Sequence, residues 1–165
     1  MAFAVRSFFL LCAISGLLTG VWSLPKKSQK NNDCPKGWTR LDCNCYIYQG
    51  EIRALADAES VCNILGGNVA SIHSDLENAF IHELVQAGGD EGYAVLGLHD
   101  TIEDDDYIWT DGSENDYTNF DMSAGEPDGS GDCVEMDISD GLWENVACDT
   151  ERAYVCISEV LTYTH

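Results

Sequence analysis

The chain has 165 residues, which is enough for one domain with a hydrophobic core of its own. It carries 29 acidic residues against 8 basic ones, for a formal net charge of -21, and every lysine lies at or before Lys36. A surface this negative repels phosphate backbones, so the composition argues against nucleic-acid binding and favours a cation, calcium above all, or a basic partner. Solubility alone accounts for part of the acidic excess.

Residues 1–23 have the pattern of a secretory signal peptide. One arginine precedes an apolar run, and small residues such as Gly20 and Ser23 follow it. The alternative is a membrane anchor, but the run is short and is interrupted by serine, threonine and glycine. Residues 24–33 are polar and basic and are expected to form a flexible arm. We therefore predict a secreted, extracellular protein without a membrane span.

Two amphipathic helices are predicted in the first half of the domain. Residues 54–65 repeat apolar side chains at helical spacing, and a Gly-Gly pair ends the pattern. A second helix starts at Ser74, which can form a capping box with Glu77. The spacing in this helix predicts an inward face made of Leu76, Phe80, Leu84 and Ala87.

The second half is predicted to contain strands and long loops. Residues 94–98 and 153–157 read as strands, and 133–138 alternate apolar and acidic side chains, which suits a strand with one solvent-facing side. The loops between them are rich in Asp, Gly, Asn and Ser, and loops of this length are usually functional. Because the helices come first and the strands follow, the order predicts an α+β domain.

Seven cysteines remain after the predicted signal peptide is removed, and in a secreted domain they indicate disulfides. An odd number leaves at least one thiol for another chain, a small-molecule cap or exposure. Spacing alone leaves the pairing open.

Six segments, in fixed order, resemble the C-type lectin domain. They are "CPKGWTRLDCNCYIY", "VLGLHD", "GEPD", "DCVEM", "LWENVAC" and "YVCI". The resemblance places a C-type lectin domain at residues 34–158 and leaves 159–165 as a tail. It implies two helices plus antiparallel sheets with long, disulfide-braced loops. The short secreted form is similar to the fish lectins related to type II antifreeze proteins.

The resemblance also implies a pairing for six of the cysteines, namely Cys34–Cys45, Cys62–Cys156 and Cys133–Cys148. Cys43 departs from the family pattern. Our hypothesis is an interchain disulfide through Cys43 that gives a homodimer. The alternatives are a Cys34–Cys43 pair that frees Cys45, or a capped thiol.

Calcium is the cofactor that the resemblance implies, because the family binds it with the hard oxygen ligands that this ion prefers. Carried over residue by residue, the metal ligands are Glu126, Asp128, Glu144 and Asn145. Residues 143–145 read Trp-Glu-Asn where the family usually has Trp-Asn-Asp, and Gly131 stands where a glutamate is usual. A weaker site is therefore expected. A second calcium site is a candidate at Asp100, Asp104 and Asp132, with a solvated acidic loop as the alternative.

The expected carbohydrate contacts are Glu126, Asp128 and Asn145. The resemblance pairs the Glu of mannose-type sites with the Asp of galactose-type sites, and both carboxylates only accept hydrogen bonds. The glycan partner is therefore left unassigned between mannose and galactose types. The expected function is calcium-dependent glycan binding in innate-immune recognition or agglutination of microbes. The alternative is the same fold without sugar binding, for ice, a mineral or a protein ligand. No catalytic motif is present, so an enzyme is not expected.

Overall fold

The structure is a computed structural model that describes residues 34–89 and 92–160. The predicted signal peptide, the predicted arm and residues 161–165 of the predicted tail lie outside this range. Among the described residues, no helix is both long enough and apolar enough to cross a membrane.

The described residues contain both predicted helices and the predicted strands, so the α+β prediction is confirmed. The helices are α1 (Leu55–Leu65) and α2 (Asp75–Gly88). The strands are β1 (Thr39–Leu41), β2 (Asn44–Arg53), β3 (Asn68–Val69), β4 (Tyr93–His99), β5 (Ile108–Trp109), β6 (Cys133–Asp137), β7 (Trp143–Val146) and β8 (Arg152–Glu159).

These strands form one sheet with the central order β1-β2-β8-β4-β6-β7, to which β3 adds beside β8 and β5 beside β4. Neighbouring strands run antiparallel, as expected, except β4 and β8, which are parallel. The last strand therefore lies between β2 and β4, and it joins the two halves of the domain.

Each helix covers one face of the sheet, because successive side chains of a strand point to opposite faces. In β8, Val155 and Ile157 pack in the core cluster that contains α2 residues. Their neighbours Tyr154 and Cys156 pack in the cluster that contains α1 residues. The alternation continues across the sheet, so the domain has two cores separated by β-strands.

The predicted inward face of α2 is confirmed at Phe80 and Leu84, which pack against the core, and is wrong at Leu76 and Ala87. Leu76 is 59% exposed and Ala87 is also exposed, whereas Ile81 and Val85 are buried. Asn78 also lies on the buried face, where its side chain donates to the Gly141 carbonyl and accepts from the indole of Trp143. A hydrophobic pattern leaves this residue out, because its polar groups are satisfied inside the core.

The prediction of a solvent-facing side for β6 is wrong at Glu135, which is 2% exposed. Arg152 donates to both oxygens of this carboxylate, at 2.7 and 3.2 Å, and the Arg152 guanidinium lies 5.2 Å from the centre of the Tyr93 ring. A bidentate partner of this kind allows a carboxylate to be buried.

Three disulfides are present, and they are the three pairs that the resemblance implies: Cys34–Cys45, Cys62–Cys156 and Cys133–Cys148. The Cys62–Cys156 bond ties α1 to β8, and the Cys133–Cys148 bond ties the start of β6 to the segment after β7. Cys43 is an exposed free thiol in the turn between β1 and β2.

Candidate calcium and carbohydrate site

The loop of residues 121–132 lies against β7. The Glu126 carboxylate accepts a hydrogen bond from the Asn145 backbone N–H at 3.0 Å. The Gly129 N–H donates to Asn145 Oδ1 at 3.2 Å, and the Ser130 hydroxyl donates to the Asn145 carbonyl at 3.4 Å. One residue of β7 therefore anchors the acidic loop at three points.

Glu126 and Asp128 flank Pro127, and the Glu126–Pro127 peptide bond is cis. The Asp128 N–H donates to Glu126 Oε2 at 3.3 Å, so the two residues are in contact. Hydrogen bonds from Ser130 hold the pKa of the exposed Asp128 carboxyl below its usual value. Asp128 is therefore ionised at neutral pH and presents negative charge at the surface of the loop.

Glu144 lies on the other side of β7 from the Asn145 side chain, as successive residues of a strand must. It is directly opposite Glu135 on β6, whereas Asn145 is opposite Val134. Burial, followed by the negative charges of Glu135 and Glu126, raises the pKa of Glu144. Of the four ligands expected from the sequence, the structure thus brings Glu126, Asp128 and Asn145 together and sets the Glu144 side chain against Glu135.

The Asn145 side chain is held by a tyrosine that the sequence analysis did not identify. The Asn145 Nδ2 group donates to the Tyr107 hydroxyl at 2.9 Å, and Asn145 is only 6% exposed. A sequence signal for Tyr107 exists in retrospect. It stands two residues before the buried Trp109, the spacing at which side chains of an extended segment share one face.

The residues of the candidate second site border one depression. Its volume is about 350 Å³, and it is lined in part by Asp100, Asp104, Asp128 and Asp132. Asp100 Oδ2 accepts from the backbone N–H of Asp105 at 2.9 Å. Asp100 Oδ1 is buried and has no hydrogen-bond partner among the described residues. The structure therefore brings the three predicted residues to one place and leaves a buried carboxylate oxygen there.

The donor set suits calcium in its chemistry, because it consists of carboxylate, amide and carbonyl oxygens with no thiolate or imidazole. A buried, unpaired carboxylate oxygen such as Asp100 Oδ1 also fits a neighbouring cation, since such a group is costly without a partner. In residues 34–89 and 92–160, no group of three or more His, Cys, Asp or Glu side chains is already arranged as a metal cluster.

A larger groove of about 630 Å³ lies elsewhere and is lined by residues that include Ser71, Asp111 and Ser158. Asp111, one of the two carboxylates that line it, accepts from the Ser71 hydroxyl and from the backbone and hydroxyl of Ser113. The acceptors of Asp111 are therefore satisfied within the protein.

Known proteins resemble this chain along most of its length. The family model described as the Lectin C-type domain matches residues 51–158. The galactose-specific lectin nattectin of Thalassophryne nattereri is 30% identical over 152 residues, which is 90% of this chain and 91% of nattectin. A crystal structure of human lithostathine superimposes with a TM-score of 0.72 at 27% identity, covering 86% of this chain and 99% of that one. A calcium-independent type II antifreeze protein superimposes with a TM-score of 0.71 at 26% identity, covering 78% of this chain and 96% of that one.

The fold, the three disulfides and these matches define the class of the protein. The chain belongs to the C-type lectin domain family. Its relatives are lectins and lectin-like proteins. They include a galactose-specific lectin and a calcium-independent antifreeze protein.

Proposed function

We propose that this protein is a secreted, calcium-dependent lectin whose calcium and glycan bind at Glu126, Asp128 and Asn145. The observation that supports this proposal is the docking of the acidic loop on β7, where Glu126 and Gly129 both contact Asn145. Calcium, when bound, supplies a positive centre for two hydroxyls of a sugar. The chain's own part is to hold the oxygen ligands and to offer the Asn145 amide as a hydrogen-bond donor.

The test is a calcium titration by isothermal calorimetry on the mature protein. Asp128→Asn should weaken calcium binding by roughly tenfold, because it removes one ligand charge. Glu83→Gln is the matched control, since Glu83 is an exposed acid on α2. Equal losses of calcium affinity in the two variants would show that binding depends only on the overall negative charge of the protein. No calcium uptake by the wild type would favour the alternative, a lectin-like protein without sugar binding.

A second calcium ion is proposed at Asp100, Asp104 and Asp132. The buried, unpaired Oδ1 of Asp100 supports it. Asp100→Asn should lower the measured stoichiometry from two calcium ions to one. An unchanged stoichiometry would leave these residues as a solvated acidic loop.

Agglutination of microbes requires at least two glycan sites in one particle. We propose that Cys43 provides them through an interchain disulfide, because its thiol is free and exposed. Non-reducing electrophoresis should show a dimer that disappears with reductant and in Cys43→Ser. The same variant should lose agglutination and keep the binding of a monovalent sugar. A monomer band alone would refute the dimer.

A further inference from the structure

We infer that Tyr107 is a positioning residue of the candidate calcium site, and that its hydroxyl holds the Asn145 side-chain amide in a single orientation. What this inference implies for calcium and sugar binding rests on the proposed function. The positioning itself rests on contacts that exist without calcium.

One contact on the Asn145 amide selects its orientation, and a second holds the amide there. The Gly129 backbone N–H, at 3.2 Å, can only donate, so the group that faces it must be the carbonyl oxygen Oδ1. The Nδ2 group then faces the Tyr107 hydroxyl, to which it donates at 2.9 Å. The Tyr107 hydroxyl also donates to Oδ1, at the longer distance of 3.3 Å.

Tyr107 is itself held in place, so it can act as a fixed reference. Its ring is half-buried and packs on Phe120 with 5.4 Å between ring centres, and Phe120 packs on Trp143 at 5.8 Å. Burial raises the pKa of Tyr107, an effect that the hydrogen bond with Asn145 opposes and that the charges of Asp100 and Asp105 strengthen. The hydroxyl therefore stays protonated at neutral pH.

The selected orientation matters for a cation and for a sugar. Oδ1 has two lone pairs and Nδ2 has two hydrogens. Oδ1 accepts from the Gly129 N–H and, at 3.3 Å, from the Tyr107 hydroxyl, whereas Nδ2 donates one hydrogen to Tyr107 and keeps the other. A rotated amide would present N–H groups where a cation requires an oxygen. Glu126 and Asp128 only accept hydrogen bonds when ionised, so the remaining Asn145 hydrogen is the donor that this group of three offers to a sugar.

The test compares Tyr107→Phe with Tyr117→Phe. Both variants remove one tyrosine hydroxyl and keep the ring, and the Tyr117 hydroxyl donates elsewhere, to Asp75 at 3.0 Å. In calcium-free protein, ¹⁵N NMR should show a resolved, protected pair of Asn145 Nδ2 protons in the wild type and in Tyr117→Phe. In Tyr107→Phe these signals should move toward solvent-averaged values and exchange several-fold faster with water.

With calcium alone as the ligand, Tyr107→Phe should weaken binding about three- to tenfold, the effect of one lost hydrogen bond, and Tyr117→Phe should match the wild type. Unchanged Asn145 signals in Tyr107→Phe would overturn the inference whatever calcium does. Altered signals with unchanged calcium affinity would overturn its consequence for the site. Altered signals in a protein whose wild type takes up no calcium would confirm the positioning and refute the proposed function instead.

Discussion

At the scale of single residues, the sugar preference of the proposed site depends on the hydrogen-bond chemistry of the Glu126-Pro127-Asp128 segment. Both carboxylates only accept hydrogen bonds when ionised, and the nearby amide belongs to Asn145. Neither carboxylate can therefore donate to a sugar oxygen. The sequence predicted this mixed chemistry, because the residue types alone determine it.

Glu126→Gln should strengthen galactose relative to mannose. The glutamine keeps an oxygen that can accept from the Asn145 N–H and adds a donor opposite Asp128. The affinity ratio should change by about fivefold, the value of roughly one neutral hydrogen bond. Competition with the two methyl glycosides measures the ratio, and Glu83→Gln controls for the lost charge. An unchanged ratio would show that this hydrogen bond does not select the sugar.

Glu144→Gln should stabilise the calcium-free protein at neutral pH. Burial and the charges of Glu135 and Glu126 raise the pKa of Glu144, so the folded state holds this proton more tightly than the unfolded state. The stabilisation that protonated Glu144 contributes is complete below its pKa in the unfolded state. It is lost as the pH rises through its pKa in the folded state. At pH 7 the variant should gain about 0.5 kcal/mol, the cost of a like-charged cross-strand pair.

Urea unfolding in chelator, at pH 7 and near pH 4, measures this effect. The gain in the free energy of unfolding should shrink near pH 4, because wild-type Glu144 is then protonated and, like glutamine, carries no charge. A variant less stable than the wild type at pH 7 would contradict the assignment of Glu144 to a repulsive pair with Glu135.

At the scale of elements, local signals predicted where α2 begins and ends, but only part of the face that it buries. Ser74 accepts from the Glu77 N–H at 3.2 Å, and Gly89 closes the helix in the left-handed conformation. The Glu77 carboxylate accepts from the His73 N–H at 2.6 Å and not from the Ser74 N–H. The second hydrogen bond of the predicted capping box therefore comes from the residue before Ser74. The buried face includes Asn78, whose hydrogen-bond partners lie more than sixty residues away.

Ser74→Ala should lower the free energy of unfolding by about 1 kcal/mol, because the Glu77 N–H loses its acceptor at the helix start. Ser60→Ala is the matched control. Ser60 is exposed within α1, and its hydroxyl donates to the carbonyl four residues earlier. Urea denaturation of the two variants measures the difference. Equal stability of Ser74→Ala and Ser60→Ala would refute a capping role.

At the scale of the whole molecule, the Cys62–Cys156 bond should contribute more than the Cys34–Cys45 bond. It links residues 94 positions apart, against 11 for the other pair, and so constrains the unfolded chain more. Loop entropy predicts losses of roughly 5 and 3 kcal/mol when each pair is changed to alanine. Chemical denaturation of the two double variants gives both values. A larger loss for the Cys34–Cys45 pair would contradict this order.

The overall fold could be predicted because its motifs are spread along the chain in a recognisable order. The detail of the site could not, because it depends on contacts between distant segments. Tyr107 and Asn145 are 38 positions apart, and nothing local to either residue indicates that they touch. Glu144 faces Glu135 only because of the β6–β7 register. These features are visible once the sheet is assembled.

Calcium-dependent glycan binding is the central claim, and retention on immobilised galactose and mannose tests it most directly. The mature protein should bind one of the two columns in calcium and elute when a chelator is added. Asp128→Ala, which removes the side-chain oxygens altogether, should pass through both columns under the same conditions, while Glu83→Ala is retained. Passage of the wild-type protein through both columns in saturating calcium, or retention that survives the chelator, would contradict the account.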